Sequence, residues 1–174
     1  MLTLAMITFQ LVVVQGLKQV GSAGLAVTFH TKQTATLRAD HRNYEYYERL
    51  LRRSLERKRP VAASVSNGEV QQVIRADQDV VRDLVEDGPT RAKVWFAGHD
   101  GIYHIDRSDP QAKRVYDALA KSRRTEGWVW FAATIPDLLI VDALSEDELP
   151  FNWGPQAGHA CPPSFGYLSF DSHL

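Results

Sequence analysis

The sequence predicts a mainly β protein (α+β) in which a unit of strands and one helix occurs twice. Three observations point there. Residues 46–74, "YYERLLRRSLERKRPVAASVSNGEVQQVI", and residues 116–144, "YDALAKSRRTEGWVWFAATIPDLLIVDAL", both read as a helix followed by two strands and an intervening turn. The segments ahead of them, "GLAVTFHTKQTATLRAD" and "AKVWFAGHDGIYHIDRSD", both read as hairpins, and Phe29 matches Phe96. Asn67 and Gly68 form the strongest turn signal, because both residues tolerate positive φ.

The elements follow in order. "MLTLAMITFQLVVV" is apolar on both faces of a strand, with Leu2, Leu4 and Met6 on one side and Ile7, Phe9, Leu11 and Val13 on the other. A strand over residues 3–14, covered on both sides, is the expectation. A signal-peptide core is the competing reading, but no Lys or Arg precedes the segment and no clear small-residue cleavage site follows. It is too short to span a bilayer, so no membrane span is expected. Hairpin turns fall near Lys32–Gln33 and Asp100–Gly101. Tyr44, Tyr47, Leu51 and Leu55 lie on one face of the first helix, with Asp40 or Asn43 as its cap. Ala112, Val115, Tyr116, Leu119 and Ala120 do the same for the second, with Asp109 as N-cap and Pro110 at the first helical position. Aligning Tyr47 with Tyr116 sets Leu50 against Leu119 and Leu51 against Ala120, and Val61 meets Val129 after a one-residue slip. Between the two units, Val80, Val81, Leu84 and Val85 have helical spacing and Asp77 can cap them, so a short helix is expected over residues 77–87. A strand there would instead complete the second unit.

The order strand–strand–strand–helix–strand–strand resembles the OB-fold, a small five-stranded barrel. The first copy fits it over residues 3–75, and the second over residues 77–144 if its first strand exists. The resemblance implies two small OB-like barrel units, each with one helix, and it implies no function. The domain expectation is a first repeat over residues 1–75, a second over 76–145, and an irregular tail over 146–174 rich in Pro and Gly. The tail carries Phe151, Trp153, Phe165, Tyr167 and Phe170, and part of it is expected to lie on a barrel.

Of the 174 residues, 44% are hydrophobic, enough for a packed core. A net charge of −1 gives no whole-molecule pull toward nucleic acid or anionic membrane. The charge is segregated, however. Residues 42–59 hold seven basic and three acidic side chains, 7 − 3 = +4, which leaves −1 − 4 = −5 for the rest. The single cysteine, Cys161, excludes an intrachain disulfide and a cysteine-based zinc site, and a reducing, cytoplasmic compartment is the expectation.

Three groups are candidates for function. If Val94, Phe96, Val129 and Phe131 point inward, then Trp95, Trp128 and Trp130 point outward on the second barrel alone, since the first carries Thr28, Pro60 and Ala62 there. Burial against the first barrel or the tail is one expectation for them; a stacking platform for bases, sugars or a peptide is the other. The basic helix offers Arg52, Arg53 and Arg57 to an anionic partner, or a solvated face with Glu45–Arg49 and Glu48–Arg52 pairs. "GHDGIYHIDRSD" offers His99, His104 and Asp106, in a spacing that matches no metal motif. Nucleophile elbows, phosphate loops and dinucleotide fingerprints do not occur in the sequence. The expected function is therefore non-enzymatic binding or assembly through the outer face of the second barrel, with a protein partner and no cofactor. Single-stranded nucleic-acid binding through the same platform is the alternative, and a metal-dependent enzyme using His99, His104 and Asp106 is the second.

Overall fold

The computed structural model describes residues 8–149. The strand proposed upstream of Thr8 and the aromatic tail from Pro150 onward lie outside the described residues. Strand makes up 48% and helix 24%, so the chain is mainly β; an open, mixed ten-stranded sheet carries two α-helices.

The N-terminal half comprises β1 (Gln10–Val12), β2 (Val14–Val20), β3 (Gly24–Phe29), β4 (Thr34–Arg38), α1 (Tyr44–Arg57), β5 (Val61–Ser66) and the start of β6 (Glu69–Glu86). The strands run in the order β1-β5-β6-β4-β3-β2. All neighbours are antiparallel except β4 and β6, which meet in parallel at Thr36 and Glu69. Only Val13 separates β1 from β2, so both ends of this path belong to one bent segment. The C-terminal half comprises the rest of β6, β7 (Arg91–Phe96), β8 (Tyr103–Asp106), α2 (Ala112–Thr125), β9 (Trp128–Ala133) and β10 (Ile140–Ser145). Here β6 pairs first with β9 and then with β7, β7 pairs with β8, β9 with β10, and a parallel bridge joins His104 to Leu139.

Each half has its own apolar core under its own helix. Leu25, Val27, Phe29, Leu37, Val61 and Val70 surround Tyr47, Leu50 and Leu51 of α1. Val94, Phe96, Ile105, Val129 and Phe131 surround Val115, Ala118 and Leu119 of α2. The helices stop alike, on left-handed Lys58 (φ 54°) and Glu126 (φ 52°), which halts the helical hydrogen-bond ladder. A buried serine then ties each helix to the sheet. Ser54 Oγ accepts the Val14 N–H at 3.0 Å and donates to the Arg59 carbonyl at 2.6 Å. Ser122 Oγ accepts the Val81 N–H at 3.1 Å and donates to the Gly127 carbonyl at 2.6 Å. Gly24 begins β3 at φ +129°, and a Cβ there would stand 2.1 Å from the Leu37 carbonyl oxygen, so no other residue fits.

A third apolar cluster joins the halves: Phe9, Leu11 and Ala62 from one side, Ala76, Trp130, Ala132 and Leu149 from the other. Its polar companion is Asp142, which is 1% exposed. Asp142 accepts the Leu11 N–H at 2.6 Å and pairs with the Arg114 guanidinium. Gln111 Nε2 donates to the Phe9 carbonyl at 3.2 Å beside it. Burial pushes the Asp142 carboxyl above the ordinary aspartate range, and the Arg114 charge opposes that shift.

Two local expectations are corrected. Residues 77–87 do not form a helix; β6 runs as a strand to Glu86, across the expected domain boundary at 75/76. Its buried residues, Val70, Val73, Ala76, Asp79, Val81 and Leu84, fall mostly three apart. A strand that changes partners and carries two bulges buries residues at that interval, which imitates a helix. The second helix starts at Ala112 and not at Pro110. Asp109 closes a preceding turn instead, where its side chain accepts the Gln111 N–H at 2.7 Å and its carbonyl accepts the Ala112 N–H at 3.0 Å.

Candidate functional site

The three tryptophans do not form one platform. Trp130 faces Gln78 across the β9–β6 ladder and is 4% exposed, packed into the junction between the halves. Trp128 faces Val80 on the same ladder and is half-buried. Trp95 stands on β7, on the other flank of β6, opposite Asp83, and is also half-buried.

The outer face around Trp95 does form a surface. Cross-strand pairing sets Val85, Lys93 and His104 in one row over β6, β7 and β8, and a parallel bridge adds Leu139 just ahead of β10. Trp95 and Asp83 form the next row, with Ile102 just ahead of β8. Val85 is 44% exposed and Ile102 42%, so apolar area here meets solvent. Lys93 reaches Asp87 at 3.0 Å and Asp83 reaches Arg123 at 3.1 Å, which leaves the face nearly neutral. His104 adds a buried Nδ1 that has no hydrogen-bond partner among the described residues. In the N-terminal half, Lys18, Ala26, Thr36 and Glu69 form a cross-strand row that is charged at both ends.

The basic helix is the second surface. Of the two expected pairs only Arg52–Glu48 forms, at 2.6 Å; Arg49 makes no ion pair among the described residues. Arg42, Arg49, Arg53, Arg57, Lys58 and Arg59 are exposed and make no ion pair among the described residues. On α2 the opposite holds. Lys113 pairs with Asp117, Arg114 with Asp142, Lys121 with Asp147 and Arg123 with Asp83; Arg124 alone is unpaired.

The histidines and the aspartate of the metal alternative do not converge. His99 Nδ1 lies 2.5 Å from Asp79, a carboxylate that is 4% exposed and also accepts the Gly98 N–H at 2.9 Å. The His99 ring meets Phe131 edge-on at 5.4 Å. His104 sits on the outer face of β8, and Asp106 turns to Ser108. Those two serine hydrogen bonds hold the Asp106 carboxyl below its ordinary range. No group of three His, Cys, Asp or Glu among the described residues is placed to hold a metal ion. Sequence reasoning missed Asp79 as the partner of His99, since nothing in the spacing links residues on β6 and the following turn.

The concavities add no reactive cluster. A groove of ≈ 540 Å³ runs along α2 between Lys113, Asp117, Lys121 and Glu148, and both lysines are already neutralised. A cavity of ≈ 100 Å³ in the N-terminal half is lined by Thr8, Gln10, Val12, Phe29, Gln33, Ala63 and Val65, none of them titratable. No helix among the described residues is long and apolar enough to cross a membrane. No protein-family model, curated protein or solved structure matches the chain.

Proposed function

We propose that the chain is a non-enzymatic binding or assembly module of two duplicated OB-like units, whose protein partner docks on the outer face of the C-terminal half around Trp95. Recurrent details support the duplicated framework. A bulge between Val14 and Gly16 recurs between Val81 and Asp83, at the same place against β3 and β7. The β5–β6 bulge recurs in β9–β10. The parallel bridge Thr36–Glu69 recurs as His104–Leu139, and the serine ties recur as Ser54 and Ser122. These environments set Leu51 against Leu119, one residue from the register that the tyrosines suggest, because buried leucines hold the helix while Tyr116 lies at its edge. The OB-like reading is supported by the bent segment of β1 and β2, which meets β5 and β3, and by β6, which meets β9 and β7.

The observation that carries the docking reading is the Val85–Lys93–His104–Leu139 row beside Trp95 and Ile102: apolar at both ends, partly exposed and near neutral in charge. Aromatic residues with exposed aliphatic neighbours and little net charge suit a protein surface better than a phosphate chain. The test places a photo-crosslinking amino acid at Ile102 and, as control, at Thr36 on the corresponding face of the other half. The reading expects protein adducts from position 102, weakened by Trp95→Ala, and few from position 36. Equal labelling from both positions, or none, would contradict it.

A further inference from the structure

We infer that α1 is a docking surface for a nucleic-acid phosphate backbone, a role separate from the Trp95 face and independent of it. Arg49, Arg53 and Arg57 recur every four residues, so they line one side of the helix, with Tyr46 one turn ahead of Arg49 and the acid Glu45 at the start of the row. From Arg49 to Arg57 the row spans eight residues, about 12 Å of helix axis at ~1.5 Å per residue. All of these arginines are exposed and make no ion pair among the described residues, while Arg52, one step round the helix, is neutralised by Glu48. Tyr46 is 49% exposed and rests against Tyr47 at 5.9 Å, so it offers a ring within the row on which a base can stack.

Charge complementarity requires an anion, and the shape selects which. A membrane-surface helix needs an apolar face for the lipid, but the apolar residues of α1, Tyr47, Leu50 and Leu51, are committed to the core. A narrow row of cations carrying an aromatic ring fits a linear, regularly charged chain. The surplus cations are retained although the rest of the chain is acidic, and on α2 comparable cations are matched by Asp83, Asp117, Asp142 and Asp147. Among the described residues, α1 and its two flanks thus hold the densest group of cations left without an ion pair.

The test is fluorescence anisotropy with labelled single-stranded DNA, single-stranded RNA and duplex DNA, over a range of salt. Vesicles with a high anionic lipid content and an acidic peptide are measured in parallel. Micromolar binding to at least one nucleic acid is expected, with log Kd against log salt of slope about 2–4, as three to five neutralised phosphates require. The combined Arg49→Glu, Arg53→Glu, Arg57→Glu variant should bind at least about tenfold more weakly, while Arg124→Glu on α2 stays within about twofold. Tyr46→Ala should weaken single strands more than duplex. A circular-dichroism spectrum matching wild type keeps the triple variant interpretable. No nucleic-acid binding at low salt, equal loss with Arg124→Glu, or binding confined to vesicles or the acidic peptide would overturn the inference. Because Trp95→Ala leaves this binding unchanged under the inference, its failure is distinguishable from failure of the protein-docking reading.

Discussion

Helices α1 and α2 share a length of 14 residues, a left-handed stop and a buried serine tie, yet their cations do opposite things. On α2 the charges are matched: Arg114 and Lys121 fasten the helix to Asp142 and Asp147, and Arg123 reaches Asp83. On α1 they face water, and among the described residues the Glu48–Arg52 pair is their sole ion pair. Two helices of equal length thus carry an internal fastening in one half and an outward charge in the other. The sheet faces repeat the lesson in reverse, since Lys18 and Glu69 cap the row in the N-terminal half and Val85 and Leu139 cap it in the C-terminal half. What each half offers to a partner is written in those side chains, since a similar strand order by itself implies no function.

The comparison can be broken at several points. The largest effect is expected at Trp130, buried in the junction. Trp130→Ala should cost about 3–5 kcal/mol in urea unfolding, while Ala62→Gly on the other side of the same cluster costs less. Next comes the contrast between helices. Arg114→Ala strands a buried carboxylate and should cost about 3 kcal/mol, whereas Arg53→Ala stays within about 0.5 kcal/mol. Similar losses for both would erase the distinction between fastening and outward charge. Ser54→Ala and Ser122→Ala should each cost about 1–3 kcal/mol, and by like amounts, because each leaves one strand N–H and one helix-end carbonyl without its partner.

The smallest effect is a pH dependence from Asp142. Its folded carboxyl titrates above the unfolded value of about 3.9. The stabilisation linked to its proton is therefore fully present below about pH 3.9 and is lost as pH rises through the raised folded value. The stability advantage of the wild type over Asp142→Asn should shrink as pH climbs from about 4 toward neutrality, read as the difference in urea midpoints. A difference that grows with pH would mean that Arg114 outweighs burial at this site.

Much of the fold was legible in the sequence because it rests on local signals. Asn67 and Gly68, at φ 53° and 74°, make the expected hairpin turn, and the helix faces built on Leu51 and Leu119 bury as their spacing requires. The failures came where tertiary partners override spacing. Val80, Val81, Leu84 and Val85 look helical because β6 switches from β9 to β7 and carries a bulge there, and neither event leaves a local mark. The Trp95 face was legible from alternation, but the separation of Trp128 and Trp130 from it was not, since that depends on β6 lying between β7 and β9. The charge excess of α1 was visible in composition. Its lack of compensation was not, because the acids that neutralise α2, at positions 83, 142 and 147, lie far from it in sequence.

The measurement that bears most directly on the contrast between the helices is a backbone-amide NMR titration of the protein with a short single-stranded oligonucleotide at low salt. The account predicts shifts that cluster over residues 42–59 and spare α2 and the Trp95 face. Shifts centred on residues 112–125 or on β7 and β8 would contradict it, as would a spectrum that does not move.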